Sequence, residues 1–266
     1  MDLMTIGGLV GGILVLFLGA QGGGSLSAFV NMHGILIVCG GTLCATMINC
    51  SARELIWTLR AGIGLFSSVR FKQAEETIPI LVDLCRRARQ GGVRTIEKAG
   101  EALDTDGFAS RAIDACLILN DERLAREAIV RELNQVRARH REVGNIFRVM
   151  GLLAPMFGLL GTLIGIISVL RNLSDAAQAG PAMAVAISSA FYGICIANLV
   201  CVPAANKLRS RSMAEILSKE VVMTGVVTIV FSQRSPLALE AGLSGFLESP
   251  QREGLGEAAG AAAETA

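Results

Sequence analysis

Four stretches of this chain contain no Asp, Glu, Lys or Arg: Leu3–Ala20, Ala28–Ile48, Val149–Leu170 and Ala182–Ala205. Each is long enough, or nearly so, to cross a bilayer core, which takes about 20 helical residues. In hydrocarbon every backbone N–H and C=O must be paired within the protein, so continuous apolar runs of this kind are read as helices. The first is short and glycine-rich. Gly7, Gly8, Gly11 and Gly12 make two overlapping small-xxx-small pairs, which lets another backbone approach closely. Composition agrees: 52% of the 266 residues are hydrophobic and 18% charged, too little charge to cover a soluble domain of this length. The predicted fold class is all-α, a polytopic membrane protein with four transmembrane helices and a helical cytoplasmic domain between helices two and three.

The basic residues give the orientation. The segments 21–27 and 171–181, which join helices one to two and three to four, hold one Arg between them. Ser51–Arg148 holds most of the Lys and Arg, and Lys207, Arg209 and Arg211 follow the last span. The large loop and both termini are therefore expected on the cytoplasmic side. Asp2 stands where a signal peptide would be basic, and no small-residue cleavage site follows, so the first run is expected to be a retained helix. The expected divisions are 1–50 for the first two spans, 51–148 for the cytoplasmic domain, 149–206 for the last two spans, 207–249 for C-terminal cytoplasmic helices, and 250–266 for a disordered Gly/Ala/Glu-rich tail.

Within the loop, helical periodicity predicts a helix over Glu75–Gln90, stopped by Gly91 and Gly92, with Arg86, Arg87 and Arg89 in its last turn. A shorter helix is expected over 94–103, then a turn at Asp104–Gly107 and a helix capped by Ser110. From Asp121 there is no proline until Pro155, and Glu122/Arg126 and Glu127/Arg131 are spaced for i,i+4 pairs, so one long helix should run into the third span. Val221–Phe231 is apolar but too short to span, and is read as a helix packing on the cytoplasmic domain.

The seven cysteines and two histidines show no metal-site or redox spacing, and the cysteines read as unpaired thiols. The net charge of +1 offers no basic footprint for nucleic acid, and the spans hold no nucleophile–base pair or H-E-x-x-H pattern, which argues against an enzyme. Ion-moving proteins place an ionisable group at depth, and none of these spans has an acid or a strong base. If the chain moves ions, a partner must bring the carboxylate.

Polar features remain in spans three and four. Pro155, Gly158, Thr162 and Gly165 recur at three- and four-residue spacing, and Pro155 frees the carbonyl of Gly151. Freed carbonyls and hydroxyls are what a dehydrating cation or a proton-carrying water chain needs. The same residues also fit a simple kink at Pro155 with Thr162 bonded back to its own helix, which is the commoner arrangement. The fourth span carries Ser188, Ser189, Tyr192, Asn198 and Pro203, with Ser189 and Tyr192 on one face and Pro203 freeing the carbonyl of Leu199; polar glue between helices is the alternative.

Ile35-Leu-Ile-Val-x-Gly-Gly41, Ala154-Pro155 with Gly161-Thr-Leu-Ile-Gly165, Gly180-Pro-Ala-Met-Ala-Val-Ala186, Tyr192-Gly193 and Pro203-Ala-Ala-Asn-Lys-Leu208 resemble, in order and spacing, the MotA/PomA family of flagellar stator subunits. The resemblance extends over about residues 1–250. It implies a bacterial inner-membrane ring of five copies around a MotB/PomB-type partner that carries the ion-binding aspartate, with torque delivered to the rotor protein FliG. It implies Pro155 and Pro203 as the functional prolines and Arg89 and Glu97 as rotor contacts. Thr162 and Ser189 are implied in the ion path, with no cofactor beyond transported Na⁺ or H⁺. Thr162 resembles sodium-type members, whereas Ala190 stands where PomA has the second of two threonines, Ser189 matching the first. A TolQ/ExbB-like energising subunit of another envelope machine resembles the chain in the last two spans but usually has one helix before the loop. A passive membrane scaffold would explain the glycines alone.

Overall fold

The computed structural model describes residues 3–21, 30–64, 74–103, 106–171, 176–232 and 234–247; the expected disordered tail lies outside them, as do most of the two short connecting loops. Every regular element among the described residues is helical. The elements are α1 (Leu3–Gln21), α2 (Met32–Ile35) continued by a π turn (Leu36–Gly40) into α3 (Gly41–Asn49), α4 (Ala52–Gly64), α5 (Ala74–Gly91), a 3₁₀ segment (Val93–Ala99), α6 (Gly100–Leu103), α7 (Phe108–Leu119), α8 (Glu122–Arg171), α9 (Ala176–Cys195) continued by a π turn (Ile196–Cys201) into α10 (Val202–Val227), a further π turn (Thr228–Ser232), and α11 (Pro236–Leu243) with a closing 3₁₀ turn (Ser244–Phe246). Among the described residues three helices are long and apolar enough to cross a membrane, Met32–Asn49, Glu122–Arg171 and Ala179–Ser232, and Ile6–Gly19 is a shorter apolar helix.

The chain folds as two compact units, residues 1–69 with 139–210 and residues 70–138 with 211–266. Within the first unit Phe147 is buried against Ala204, Ala205 and Leu208, and its ring tip reaches the face of Gly62, which ties α4 and residues 139–148 to the span helices.

In the first unit α8 and α9 are antiparallel and separated by small residues alone. A Cβ on Gly158 would lie 2.9 Å from the carbonyl oxygen of Ser189, and one on Gly193 would lie 2.6 Å from that of Ala154. Further along, Gly165 meets Ala182 and Ala186, and Gly151 meets Cys201 and Val202. Such contacts supply the close backbone approach that holds helices together where lipid tails offer no hydrophobic drive. The second span joins through Gly34, which Ser188, Ser189 and Tyr192 cover, and Gly41, which lies under the ring of Phe157. In α1 only Gly12 meets a neighbour, Leu199; Gly7, Gly8 and Gly11 face open space within this chain.

In the second unit the apolar faces of α5, the 3₁₀ segment, α7, the start of α8, the end of α10 and α11 enclose one core, with Ile78, Leu81, Ile96, Phe108, Ile113, Val221, Val226 and Leu243 essentially inaccessible. Val221–Phe231 does pack on this domain, as the apolar run implies. Three local expectations change. Residues 93–99 wind as 3₁₀ rather than α, following Gly92 in the left-handed region (φ 85°), with the Thr95 hydroxyl donating to the Gly92 carbonyl at 2.6 Å. α7 starts at Phe108 after left-handed Gly107, so Ser110 is no cap; its backbone packs against Gly100 instead. Glu122 pairs with Arg126 at 3.9 Å, but Glu127 pairs with Arg123 at 3.1 Å rather than with Arg131. The 50-residue α8 is continuous through Pro155, capped at its start by Asp121, whose carboxylate accepts from the Leu124 N–H at 2.8 Å.

Candidate functional site

The span helices and the second unit each hold some of the residues singled out by sequence. In α8 the buried stripe is Ala154, Gly158, Gly161 and Gly165, a four–three–four spacing that faces α9. Gly158 and Gly165 therefore do not share their face with Thr162, as the spacing alone suggested: Thr162 and Pro155 flank the stripe, each half-buried. The Thr162 hydroxyl donates to the Leu159 carbonyl at 2.6 Å. Its proton is committed to its own helix while the oxygen keeps acceptor capacity.

Ser189 is fully buried at the meeting of three helices, with its side chain on Gly161 of α8 and near Gly34 of α2. Its hydroxyl donates to the Val185 carbonyl at 2.7 Å, and that of Ser188 reaches the same carbonyl at 3.3 Å. Tyr192, on the same side of α9, accepts through its phenolic oxygen from the Asn31 N–H at 2.8 Å, while the Asn31 side chain caps α2 by accepting from His33 and Gly34. This joins the start of the second span to the middle of the fourth. Pro155 lies against Gly193, so Ser189, Tyr192 and Pro155 all belong to the α2–α8–α9 contact, whereas Pro203 is exposed on α10.

Pro203 follows the π turn Ile196–Cys201. The Val202 N–H bonds the Ala197 carbonyl, five residues back. Residue 203, as proline, has no N–H, so a main-chain carbonyl in the turn before it lacks its helical donor. A buried group that sequence did not single out is Thr42 on α3: its hydroxyl has no hydrogen-bond partner among the described residues, while its carbonyl accepts from Thr46 at 2.7 Å.

In the second unit Arg89 ends α5 and Glu97 lies on the 3₁₀ segment that folds back on it; both are exposed, and neither joins a salt bridge among the described residues. The ionic contacts lie elsewhere. Lys219 of α10 is 7% exposed and bonds Asp106 Oδ2 at 2.5 Å and Glu215 Oε1 at 2.9 Å, with its ammonium 5.4 Å from the centre of the Phe108 ring. Arg111 extends the set, bonding Glu132 at 2.6 Å and the Asp106 carbonyl at 3.1 Å. Burial alone would push the Asp106 carboxyl up, but the Lys219 bond and charge, the Phe108 N–H and Arg111 outweigh it and hold the group below its ordinary value. Burial would likewise lower Lys219, and the two carboxylates raise it instead. Sequence shows Glu215 and Lys219 at i,i+4; Asp106 is 113 residues distant and carries no local signal.

The profile of the MotA/TolQ/ExbB proton channel family matches residues 104–221. The chain is 31% identical to chemotaxis protein PomA of Vibrio alginolyticus over 252 residues, which is 95% of this chain and 98% of that one. It is 30% identical to motility protein A of Borreliella burgdorferi, covering 88% of this chain and 89% of the relative. Its fold superposes on a chain of the flagellar MotAB stator complex from Bacillus subtilis with a TM-score of 0.85 and 26% identity, covering 94% of this chain and 98% of that one. A chain of the Campylobacter jejuni MotAB structure gives a TM-score of 0.83 at 22% identity and shares the fold.

Proposed function

Because the chain belongs to the MotA/TolQ/ExbB proton channel family, on its MotA/PomA branch, we propose that it is the flagellar stator subunit that passes ions and turns their flow into torque. It is a membrane protein that works beside a MotB-type partner. The observation that carries the reading is the juxtaposition of two proline-bearing helices, closely packed through small residues, in a chain whose spans contain no acid. Such a pair can line a path but cannot bind a cation or hold a proton unaided, so the ion-binding aspartate comes from the partner's helix.

In this reading five copies ring the partner in the bacterial inner membrane, with both termini in the cytoplasm. Ions pass along the α8–α9 side of the ring, and Na⁺ is favoured over H⁺ because Thr162 offers an oxygen beside the stripe. Arg89 and Glu97 join no ion pair among the described residues, which supports their being available to FliG. One charge falling through 100 mV releases about 2.3 kcal/mol, so each ion drives a small step. Two apolar helices, α1 and the α2–α3 rod, come before α4 and the second unit among the described residues, which favours this branch over the TolQ/ExbB type.

The test is complementation of a stator-less, paralysed strain by this chain and its companion gene, with swimming measured while Na⁺ and pH are varied independently. Restored swimming that follows Na⁺ supports the full reading. Swimming that follows pH alone replaces sodium by protons, and paralysis with a complete, assembled complex removes the function.

A further inference from the structure

The junction around Phe147 marks a membrane boundary. Its ring lies against Ala204, Ala205 and Leu208 and reaches the face of Gly62. The charge-free run of α8 opens at Val149, and that of the fourth span closes at Ala205, so both runs meet the boundary at this level. α4 touches the boundary at both ends. It begins at Ala52, four residues after the second charge-free run ends at Ile48, because extended Cys50 breaks the helix there. Gly62, about 15 Å further along α4, is back at the junction. A helix with both ends at one depth lies along the boundary. Its outward face is apolar and basic: Ile56, Trp57 and Leu59 are 51%, 38% and 55% exposed, beside exposed Arg53 and Arg60. Arg53, Trp57 and Arg60 follow at four- and three-residue steps and share a face. The acid of α4, Glu54, is held in a capping box, where its carboxylate accepts from the Ser51 N–H at 3.0 Å. Arg60, Arg148 and Arg209 each lie within two residues of the junction, and all three are exposed. None of these arginines joins an ion pair among the described residues.

We propose that α4 is a seat for anionic phospholipid, with Ile56, Trp57 and Leu59 entering the boundary between headgroups and acyl chains while Arg53 and Arg60, joined by Arg148 and Arg209, hold the lipid phosphates. The gathering of basic residues puts this side at the cytoplasmic leaflet, where anionic lipids attract them. An indole suits that depth, with its ring among the upper acyl carbons and its N–H among the headgroups. Arginine stems cover apolar surface while their guanidinium forks match phosphate oxygens. A second copy of the chain is the competing cover. It would have to neutralise these guanidinium groups, yet the described acids of the first unit are Glu54, already engaged in its cap, and Glu142. The inference holds whichever ion the chain passes.

Trp57 is the only tryptophan of the chain and serves as the probe. The full chain, purified with its companion, is placed in phosphatidylcholine bilayers containing rising fractions of phosphatidylglycerol. One lipid or the other carries bromine on its acyl chains near the headgroup, which quenches a nearby indole. Subtracting the same complex with Trp57→Phe removes the companion's fluorescence. Phosphatidylglycerol should quench Trp57 with an apparent affinity about fivefold above that of phosphatidylcholine, the worth of one arginine at an anionic surface. Arg53→Gln with Arg60→Gln should bring that ratio to about one while the complex still assembles, and added inorganic phosphate should leave the ratio unchanged. Absence of quenching by either lipid overturns the proposal, because protein then covers the face. Equal quenching by both lipids overturns it too, as does a double variant that keeps the unaltered preference. A preference abolished by inorganic phosphate would assign the arginines to a soluble anion and overturn the lipid seat.

Discussion

Replacing Lys219 by Met tests how the second unit is held together. The ammonium is 7% exposed, and its partners differ: Glu215 is 11% exposed and Asp106 is 45% exposed. Removing one member of a buried ionic cluster costs about 3–5 kcal/mol when the charge left behind stays buried. Here Asp106 regains water and contributes little, as half-exposed pairs do. Glu215 cannot, so the expected cost is about 3 kcal/mol, at the lower end of that range. A double variant, Lys219→Met with Glu215→Leu, removes the buried acid together with its counter-ion and should recover most of the loss. The measurement is thermal unfolding of the purified complex, with hydrogen exchange locating the loss in α7 and the end of α10. A single-variant cost below about 1 kcal/mol, or a double variant no better than the single, would refute the view of Lys219 as a counter-ion to a buried acid. The pH dependence follows from the directions of the shifts. The Asp106 carboxyl is held below 3.8, so its contribution is complete above that value and is lost as pH falls through the lowered pKa. The Lys219 ammonium is held above 10.5, so its contribution is complete below that value and is lost as pH rises through the raised pKa. Between these limits the cluster should show no pH dependence of its own.

Gly193→Ala should lower the melting temperature of the complex by the equivalent of about 1–3 kcal/mol, because the new methyl meets the Ala154 carbonyl at 2.6 Å and α8 backbone cannot yield as a side-chain tip would. Thr162→Ala should leave melting within about 0.5 kcal/mol, since its hydroxyl bonds an already satisfied helix carbonyl, yet abolish or switch the sodium dependence of swimming; unchanged ion dependence removes Thr162 from the path. Charge reversal at Arg89 and Glu97 together should reduce torque on tethered cells while the complex still assembles, and disassembly would show a structural role.

The architecture was legible where periodicity is long. The proline-free run from Glu122 to Ala154 opens the 50-residue α8, and four charge-free runs mark the spans. The seam was legible only to within one residue: from Gly158, both Gly161 and Thr162 lie one turn on, and the choice is made by Ser189, whose side chain occupies the space over Gly161. That depends on a partner helix and not on α8. The π turns carried no local signal. Glu127 pairing with Arg123 rather than Arg131 is a finding for which the structure offers no account.

The two sequence readings of Thr162, a hydroxyl bonded to its own helix or a ligand on the ion path, are not exclusive. Donating to Leu159 at 2.6 Å uses the hydroxyl proton and fixes the rotor, which leaves the oxygen lone pairs turned away from the helix. A cation needs only those lone pairs, and finding them pre-oriented lowers the ordering cost of binding. A proton relay through the same hydroxyl would require the O–H to turn and break that bond at every passage. Ser188 and Ser189 are tied in the same manner to the Val185 carbonyl. In the proposed reading these three hydroxyls are fixed acceptors, which suits coordination of a metal cation better than hydroxyl-borne proton transfer and leaves proton traffic to water and to the companion's carboxylate.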